Sequence, residues 1–199
     1  GCEYVYGRAA FIRPVGVRVK GFLLPVNSVT IRHDLTTFKG NVYEEVFDFG
    51  MVSVKADFLD VKTRALLESI SGITSPNLGR ISIGKKISVA WMSVDEYAIF
   101  LKNSEANKMS DKITSQMHNH HHLCVNMSDS RRCYRLLGNG WREVLSKGTP
   151  ANLHPKVFGK GSFRRTRIAN IAVGIWVHDN NEAYLFSMYS VGNFILDWL

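Results

Sequence analysis

The C-terminal quarter of the chain, residues 145–199, constrains the fold most strongly, because helix, turn and strand patterns follow one another there without interruption. Apolar residues recur at helical spacing over 141–145, and Gly148 stands where helices commonly end. We therefore expect a short helix that ends at Lys147. Prolines and glycines over 150–161 then predict an extended, turn-rich connection.

The remainder of this quarter has the pattern of strands and a final helix. Partly alternating apolar and polar residues predict one strand over 166–177, buried on at least one face. Residues 179–181 favour a hairpin turn, and 183–188 supply the returning antiparallel strand. Apolar residues at helical spacing after Ser190, a good N-cap, predict a closing amphipathic helix to Leu199.

From Val42 onward the pattern predicts strand, helix, two strands, helix and strand, which is the split βαββαβ order of a ferredoxin-like unit. The predicted elements are one long strand over 42–58, a helix from its cap Asp60 to Ile70, a loop over 74–85, a hairpin of strands 86–93 and 96–102, a polar helix from 103 or 104 to about Met117, and a strand over 122–128. An α+β domain is therefore expected.

Residues 1–41 differ in composition from the rest of the chain. They hold six basic residues and two acids, together with the apolar run GFLLPV. A basic N-terminal arm that packs on a partner is one interpretation, and a loosely ordered tail is the other. The sequence leaves both open.

The overall composition is typical of a soluble globular protein. The chain has 199 residues, 45% of them hydrophobic, which suffices for one domain or two small, tightly packed halves. It contains no apolar run of about 18 residues and opens without the order of a signal peptide, so we expect no membrane span and a cytoplasmic location. Cys2, Cys124 and Cys133 are sparse and odd in number, which favours reduced thiols over a disulfide framework.

Three segments in a fixed order resemble a known family. They are VAWMSVDEYAIFL (Val89 to Leu101), VNMSDSRRCYRLLG (Val125 to Gly138) and KGTPANLHPKVFGKGSFRRTRIANIAVGIW, followed by a hairpin and the terminal DWL. Together they resemble the gamma subunit of bacterial heterotetrameric sarcosine oxidase. The resemblance runs from about Val42 to the end of the chain.

The resemblance implies a fold and a function. The implied fold is α+β, with two ferredoxin-like βαββ-type halves, about 42–129 and 130–199, packed together as in the folate-binding domain of aminomethyltransferases. The implied function is a non-catalytic structural subunit of a complex that oxidatively demethylates sarcosine to glycine and passes the one-carbon unit to tetrahydrofolate. Alpha, beta and delta subunits would be its partners. FAD, FMN, NAD, tetrahydrofolate and zinc would reside in those partners, and none in this chain.

Residues that could carry chemistry lack the partners that a reaction needs. His118, His120, His121 and His122 are consecutive or nearly so, and side chains at such spacing do not converge on one metal ion. Ser128 has no nucleophile-elbow motif. No glycine-rich nucleotide motif is present in the sequence.

Basic residues are the remaining candidates. The chain has a formal net charge of +8, and part of this charge is concentrated in two of the segments that resemble the family. Subunit docking is the favoured interpretation, through a candidate interface of Arg131, Arg132, Arg135, His154, Lys156, Arg164, Arg165, Arg167 and Trp198. Two alternatives stay open. One is a stand-alone folate-binding or aminomethyltransferase-like protein, and the other is a basic nucleic-acid-binding module with Tyr134 and Phe163 stacking on bases.

Overall fold

The computed structural model describes residues 36–38 and 41–199, which form two antiparallel sheets and four α-helices. The strands are β1 (Thr36–Phe38), β2 (Asn41–Glu45), β3 (Phe49–Ala56), β4 (Ile81–Ile83), β5 (Ser88–Ser93), β6 (Glu96–Lys102), β7 (His122–Asn126), β8 (Arg131–Leu137), β9 (Phe163–Ile168), β10 (Ile171–Asp179) and β11 (Glu182–Met188). The helices are α1 (Val61–Ser71), α2 (Asn103–Gln116), α3 (Trp141–Ser146) and α4 (Gly192–Trp198). Apart from β1 and Asn41, the predicted arm over 1–41 lies outside the described residues.

The five-stranded sheet has the order β4-β5-β6-β3-β7. Its last four strands, with α1 after β3 and α2 after β6, have the connectivity and order of a ferredoxin-like βαββαβ unit. All its strand pairs are antiparallel. The expected α+β class and the first ferredoxin-like unit are confirmed.

The six-stranded sheet has the order β1-β2-β8-β11-β10-β9. From β9 to β2 it repeats the arrangement of the first sheet, with α3 after β8 and α4 after β11 in the places of α1 and α2. One difference stands out. The position that β7 holds in the first sheet is filled here by β2, which precedes both units in the chain.

The two sheets pack face to face, and helices cover their outer faces. Between the sheets lies an aromatic cluster in which Phe100 stacks on Trp176 at 4.9 Å and Trp176 stacks on Tyr184 at 4.7 Å between ring centroids. A second cluster joins the five-stranded sheet to α1 and α2, and a third joins the six-stranded sheet to α3 and α4. The molecule therefore has four layers, in the order α, β, β, α.

Helix α1 illustrates how local sequence sets these elements. The Asp60 carboxylate accepts hydrogen bonds from the backbone N–H groups of Lys62 and Thr63, as its prediction as an N-cap requires. The helix ends at Gly72, which has a left-handed φ of 70° and donates its N–H to Glu68 O.

The predicted strand over 42–58 is wrong as a single element. The chain leaves the six-stranded sheet after β2, turns at residues 46–48, and enters the five-stranded sheet as β3. Val46 N–H donates to Cys133 O, and Asp48 accepts from Asn103 N–H. Apolar residues continue across the break, since Val46 in the turn is buried and β3 is buried on both faces, so the sequence pattern alone did not reveal it.

The predicted strand over 166–177 is also two strands. β9 and β10 pair as a hairpin around Ala169 and Asn170, and Ala169 has a φ of 50°. The hairpin begins at Phe163, three residues before the predicted strand. Asn170 was the available turn signal.

Two smaller corrections concern β4 and α4. The predicted loop over 74–85 contains the short strand β4, which pairs with β5. The closing helix is confirmed, but a 3₁₀ turn over Tyr189–Val191 precedes it and Val191, not Ser190, is the N-cap. A Cβ on Gly192 would meet the Arg132 side chain at 2.3 Å and Tyr134 Oη at 2.8 Å, so glycine allows this close approach.

Candidate docking surface

The nine candidate interface residues fall on four parts of the fold. Three arginines lie on β8 and three on β9, at opposite sides of β10 and β11 in the same sheet. His154 and Lys156 lie in the connection between α3 and β9, and Trp198 lies in α4. The nine residues therefore do not form one continuous patch.

Arg135 on β8 is engaged within the chain. Its Nε donates to Glu182 Oε1 at 2.7 Å and its Nη1 donates to Glu44 Oε1 at 3.0 Å. The same Glu182 oxygen accepts from Tyr184 Oη at 2.9 Å. Burial alone would lower the pKa of Arg135, but the hydrogen bonds with Glu182 and Glu44 raise it above its usual value. This guanidinium bridges β2, β8 and β11.

Arg132 points to the opposite face of β8 and is also engaged. Its Nη1 donates to Asn193 Oδ1 at 2.6 Å, and its Nε lies 3.4 Å from Glu45 Oε1. The guanidinium carbon is 4.4 Å from the centroid of the Tyr189 ring, a cation–π distance. Arg132 therefore ties the strand to the turn and helix that follow β11.

Arg131, at the start of β8, is half-buried, and its Nε has no hydrogen-bond partner among the described residues. Burial lowers the pKa of Arg131, the neighbouring cation Arg165 lowers it further, and Glu96 opposes them. Glu96 itself accepts a hydrogen bond from Ser53 Oγ at 2.7 Å.

The β9 arginines have a different environment. Arg165 pairs across the sheet with Gly174, and Arg167 pairs with Ala172, so no side chain on β10 offers a charge to either. No carboxylate in residues 36–38 and 41–199 forms an ion pair with Arg164, Arg165 or Arg167. Arg165 and Arg167 are exposed, and β9 is the edge of its sheet. This strand carries positive charge that the described chain leaves unneutralised.

The connection before β9 is held by an arginine that sequence reasoning missed. Arg142 Nη1 donates to Leu153 O at 2.6 Å and to Phe158 O at 2.8 Å, and its guanidinium lies 4.2 Å from the Trp141 ring. Within this connection, exposed His154 accepts the Lys156 N–H on its Nδ1 at 3.2 Å. A ring nitrogen of His154 therefore serves a backbone group of its own segment.

Trp198 packs within the chain rather than projecting from it. It is partly buried against the core below α3 and α4. A Cβ on Gly148 would lie 2.4 Å from Trp198 Cζ2, so the glycine after α3 makes room for the indole. Trp198 therefore joins the two short helices.

A cleft of about 270 Å³ opens beside the β9 arginines. Its lining comes from three separate segments and comprises Leu78, Gly79, Trp91, Met92, Phe163, Arg164 and Arg165. Leu78 is 74% exposed at its rim. Sequence reasoning missed the cleft, although Leu78, an isolated apolar residue in a loop of Gly, Pro and Ser, was a signal.

The other polar candidates make structural hydrogen bonds. His118 and His122 direct Nδ1 to backbone carbonyl oxygens, and His120 Nδ1 lies 3.0 Å from Thr63 Oγ1. Buried Ser128 donates to Asn126 Oδ1 and accepts from Met51 N–H. Among the residues that the structure describes, no group of three or more His, Cys, Asp or Glu is arranged to hold a metal ion.

The family described as "Sarcosine oxidase, gamma subunit family" matches residues 56–199, most of the chain. The chain belongs to the sarcosine oxidase gamma subunit family. The match begins somewhat later than Val42, where the sequence resemblance was placed.

Curated relatives in the gamma subunit family include two bacterial proteins. Sarcosine oxidase subunit gamma of Corynebacterium sp. (strain P-1) is 26% identical over 112 residues, which cover 56% of this chain and 54% of the relative. Sarcosine oxidase subunit gamma of Arthrobacter sp is 25% identical over the same shares. The chain spans about half the length of the curated relatives that it matches.

Solved structures support the fold of this gamma-family chain. A chain of the heterotetrameric sarcosine oxidase from Corynebacterium sp. U-96 in complex with pyrrole 2-carboxylate matches with a TM-score of 0.75 and 21% identity, over 82% of this chain and 84% of that one. The glycine cleavage system aminomethyltransferase T from Bartonella henselae matches with a TM-score of 0.55 and 9% identity, over 77% and 44%. The expected aminomethyltransferase-like fold is confirmed. In the described part of the chain, no helix is long and apolar enough to cross a membrane.

Proposed function

We propose that this chain is the non-catalytic structural subunit of a heterotetrameric sarcosine oxidase and docks on its partners partly through the β9 arginines. The observation that carries the proposal is a gamma-family fold over 56–199 whose edge strand presents Arg165 and Arg167 without a carboxylate partner in the described residues. Unneutralised charge at a sheet edge favours an acidic protein surface.

The proposed complex oxidatively demethylates sarcosine to glycine, with oxygen reduced to peroxide and the one-carbon unit passed to tetrahydrofolate. Alpha, beta and delta subunits are the proposed partners, and FAD, FMN, NAD, tetrahydrofolate and zinc are assigned to them. Among the nine candidate interface residues, Arg164, Arg165, Arg167, His154 and Lys156 remain the proposed docking residues. Arg132, Arg135 and Trp198 support the shape of the surface, since their contacts lie inside this chain, and half-buried Arg131 lies beside them at the start of β8.

A cytoplasmic location completes the proposal. It is supported by Cys124 and Cys133, which are both free thiols, because reduced cysteines are typical of the cytoplasm. Burial raises the pKa of both thiols, which keeps them protonated and unreactive.

Purification of the affinity-tagged chain from its native source tests the proposed function. We expect it to elute at the size of a multi-subunit complex with flavin absorbance and sarcosine-dependent oxygen consumption. The separated chain should show neither property, and the complex rebuilt without it should be less stable to dilution. A chain that elutes as a monomer, never accompanied by flavoprotein subunits, would contradict the proposal.

The folate-binding alternative rests on fold similarity to an aminomethyltransferase, which at 9% identity concerns the fold alone. The cleft beside β9, at about 270 Å³, is smaller than the roughly 300–1,000 Å³ of most small-molecule sites. Titration with tetrahydrofolate, followed by the fluorescence of the four tryptophans, separates the two functions. We expect no saturable change at millimolar ligand.

The aromatic residues that the nucleic-acid alternative requires for base stacking are buried in the structure. Tyr134 and Phe163, the two aromatic side chains proposed to contact bases, are 0% and 2% exposed. Binding that remained would rest on the arginines alone and would weaken steeply with salt. Retention on DNA or RNA at physiological ionic strength would revive that alternative.

A further inference from the structure

The outer edge of β9 is paired at its beginning, and the backbone after α3 meets it just past its end, where Ala169 N–H donates to Gly148 O at 2.8 Å. Phe163 N–H donates to Gly79 O at 2.8 Å, and Ile81 N–H donates to Gly161 O at 3.0 Å, around a bridge between Arg80 and Ser162. Successive backbone N–H groups of a strand point to opposite sides. The N–H groups of Arg165 and Arg167 therefore point outward, as that of Phe163 does.

Between Phe163 and Ala169 this edge is open in the described structure. No residue within 36–38 and 41–199 accepts a hydrogen bond from the backbone N–H of Arg165 or Arg167. A strand edge of this kind is a template for an added strand. The segment at Gly79 and Arg80 already occupies the first part of the edge, and a further extended segment would continue its line.

The cleft lies beside the same edge and has the size of one side chain. Leu78, Trp91, Met92 and Phe163 give it apolar walls, and its volume of about 270 Å³ is too small for most drug-sized ligands. In strand addition, backbone hydrogen bonds hold the incoming segment and a pocket selects one of its side chains. The cleft is suited to a large apolar side chain.

The charge of the arginines beside the cleft indicates which kind of segment would pair with β9. Arg164 and Arg165 line the cleft and Arg167 follows on the same strand, with no ion pair to any of them in the described residues. A second copy of this chain, with a formal charge of +8, would meet repulsion here. Edge arginines thus oppose self-association and favour an acidic partner.

We infer that a short, extended, acidic segment of a partner subunit adds as a strand to the open middle of the β9 edge, at Arg165 and Arg167, and inserts one large apolar side chain into the cleft. The inference rests on the proposed function, because the partner is a subunit of the proposed complex. It specifies how that docking is made: backbone pairing at Arg165 and Arg167, a single inserted side chain beside Trp91, and carboxylates facing the arginines.

Hydrogen exchange measured on the isolated full chain and on the purified complex tests the backbone part. In the complex, the amides of Arg165 and Arg167 should exchange at least about tenfold more slowly than in the free chain. Fast exchange of both amides in an assembled complex would overturn the inference. Slow exchange in the free chain would overturn it as well, because this chain itself would then occupy the edge.

Affinity measurements test the cleft. Leu78→Asp places a carboxylate at the apolar rim of the cleft without removing a hydrogen bond. Leu123→Asp, at a site 57% exposed on β7, at the far edge of the other sheet and outside the cleft, is the matched control. We expect Leu78→Asp to weaken binding to the partner subunits at least about tenfold and Leu123→Asp to leave it nearly unchanged. Equal affinities of the two variants would overturn the cleft as the docking site.

A backbone variant separates charge from strand pairing. Arg167→Val removes the charge and keeps the outward N–H, whereas Arg167→Pro removes both while leaving the bonds to β10. Proline should therefore weaken binding beyond valine, and equal effects would overturn strand addition. If no complex forms with the natural chain, the proposed function itself fails; if the complex forms and the variants behave alike, only this inference fails.

Discussion

The arginines of β8 and those of β9 belong to the same sheet and to the same basic composition, yet the fold treats them differently. Arg132 and Arg135 each reach a carboxylate of this chain, whereas Arg165 and Arg167 lie across from Gly174 and Ala172 at an edge. The first pair holds strands and a helix together. The second pair is left to interact with something else.

This difference shows that basic residues of one sheet can have two roles: some stabilise the fold and others are available for association. A cation with two carboxylates at hydrogen-bond distance contributes to stability, and its removal leaves those carboxylates without a partner. A cation at an exposed edge contributes little to folding and more to association. Variants of the two strands should therefore separate stability from binding.

The largest effect is expected at Arg135. Arg135→Ala leaves Glu44 and Glu182, whose side chains are 23% and 12% exposed, without their shared cation, and should lower the free energy of unfolding by about 3 kcal/mol. Urea denaturation followed by tryptophan fluorescence measures this loss. Arg135→Lys, which keeps the charge but not the two-pronged geometry, should recover part of it. A loss below about 1 kcal/mol would contradict the distinction, because Arg135 would then stabilise the fold no more than the β9 arginines do.

The opposite behaviour is expected on β9. The double change Arg165→Glu and Arg167→Glu should alter the free energy of unfolding by no more than about 0.5 kcal/mol and weaken association with the partner subunits at least about tenfold. Affinity at two salt concentrations measures the effect, which should shrink as salt screens the charges. The double lysine variant is the control. Unfolding of the double glutamate variant at low denaturant would show that these arginines are structural.

An intermediate effect is expected at Arg132. Arg132→Met keeps the length of the side chain but removes the charge near Glu45 and the contact with Tyr189, so about 1 kcal/mol of stability should be lost. Thermal unfolding of the purified variant measures it. Retained stability together with weakened association would show that Arg132, like the β9 arginines, acts in association rather than in folding.

The smallest effect concerns pH and His178, whose ring lies 6.0 Å from the Tyr184 ring beside the Arg135 network. Burial lowers the pKa of His178 below its usual 6.5, Lys160 and Arg135 lower it further, and Glu182 and Asp179 oppose them. The unfolded chain therefore binds more protons near and below pH 6.5, so stability should fall as the pH falls through this range. Comparing urea midpoints of the natural chain and His178→Gln at pH 7.5 and 5.5 measures the difference. Identical pH dependence would contradict the prediction.

Sequence reasoning succeeded where the signal is local. The Asp60 cap, the hairpin at residues 94–95, α2 and the hairpin at 180–181 each depend on neighbouring residues, and each was predicted. It failed at residues 46–48 and at Ala169, where apolar residues stand on both sides of a break between two strands. Periodicity reports burial of a face and not continuity of a strand.

The candidate docking surface was harder to predict from the sequence, because it depends on contacts between residues that are far apart in the chain. Arg135 meets carboxylates 47 and 91 positions away in the sequence, so nothing near Arg135 indicated that its charge was already neutralised. The cleft is assembled from Leu78, Trp91 and Phe163 on separate segments. The family resemblance predicted the fold. Only the strand pairing shows which arginines lack a carboxylate partner in the described residues and are available to bind another subunit.

The placement of β2 has a consequence for synthesis and folding. This strand is made before the first unit, yet it pairs with β8, and the Asn41 side chain accepts the N–H of Gly140, 99 residues later, at the start of α3. Closing so long a loop is entropically costly and slows folding. During translation β2 can pair with β1 but must wait for β8 until most of the chain has left the ribosome, and the two units should then unfold as one cooperative body rather than independently.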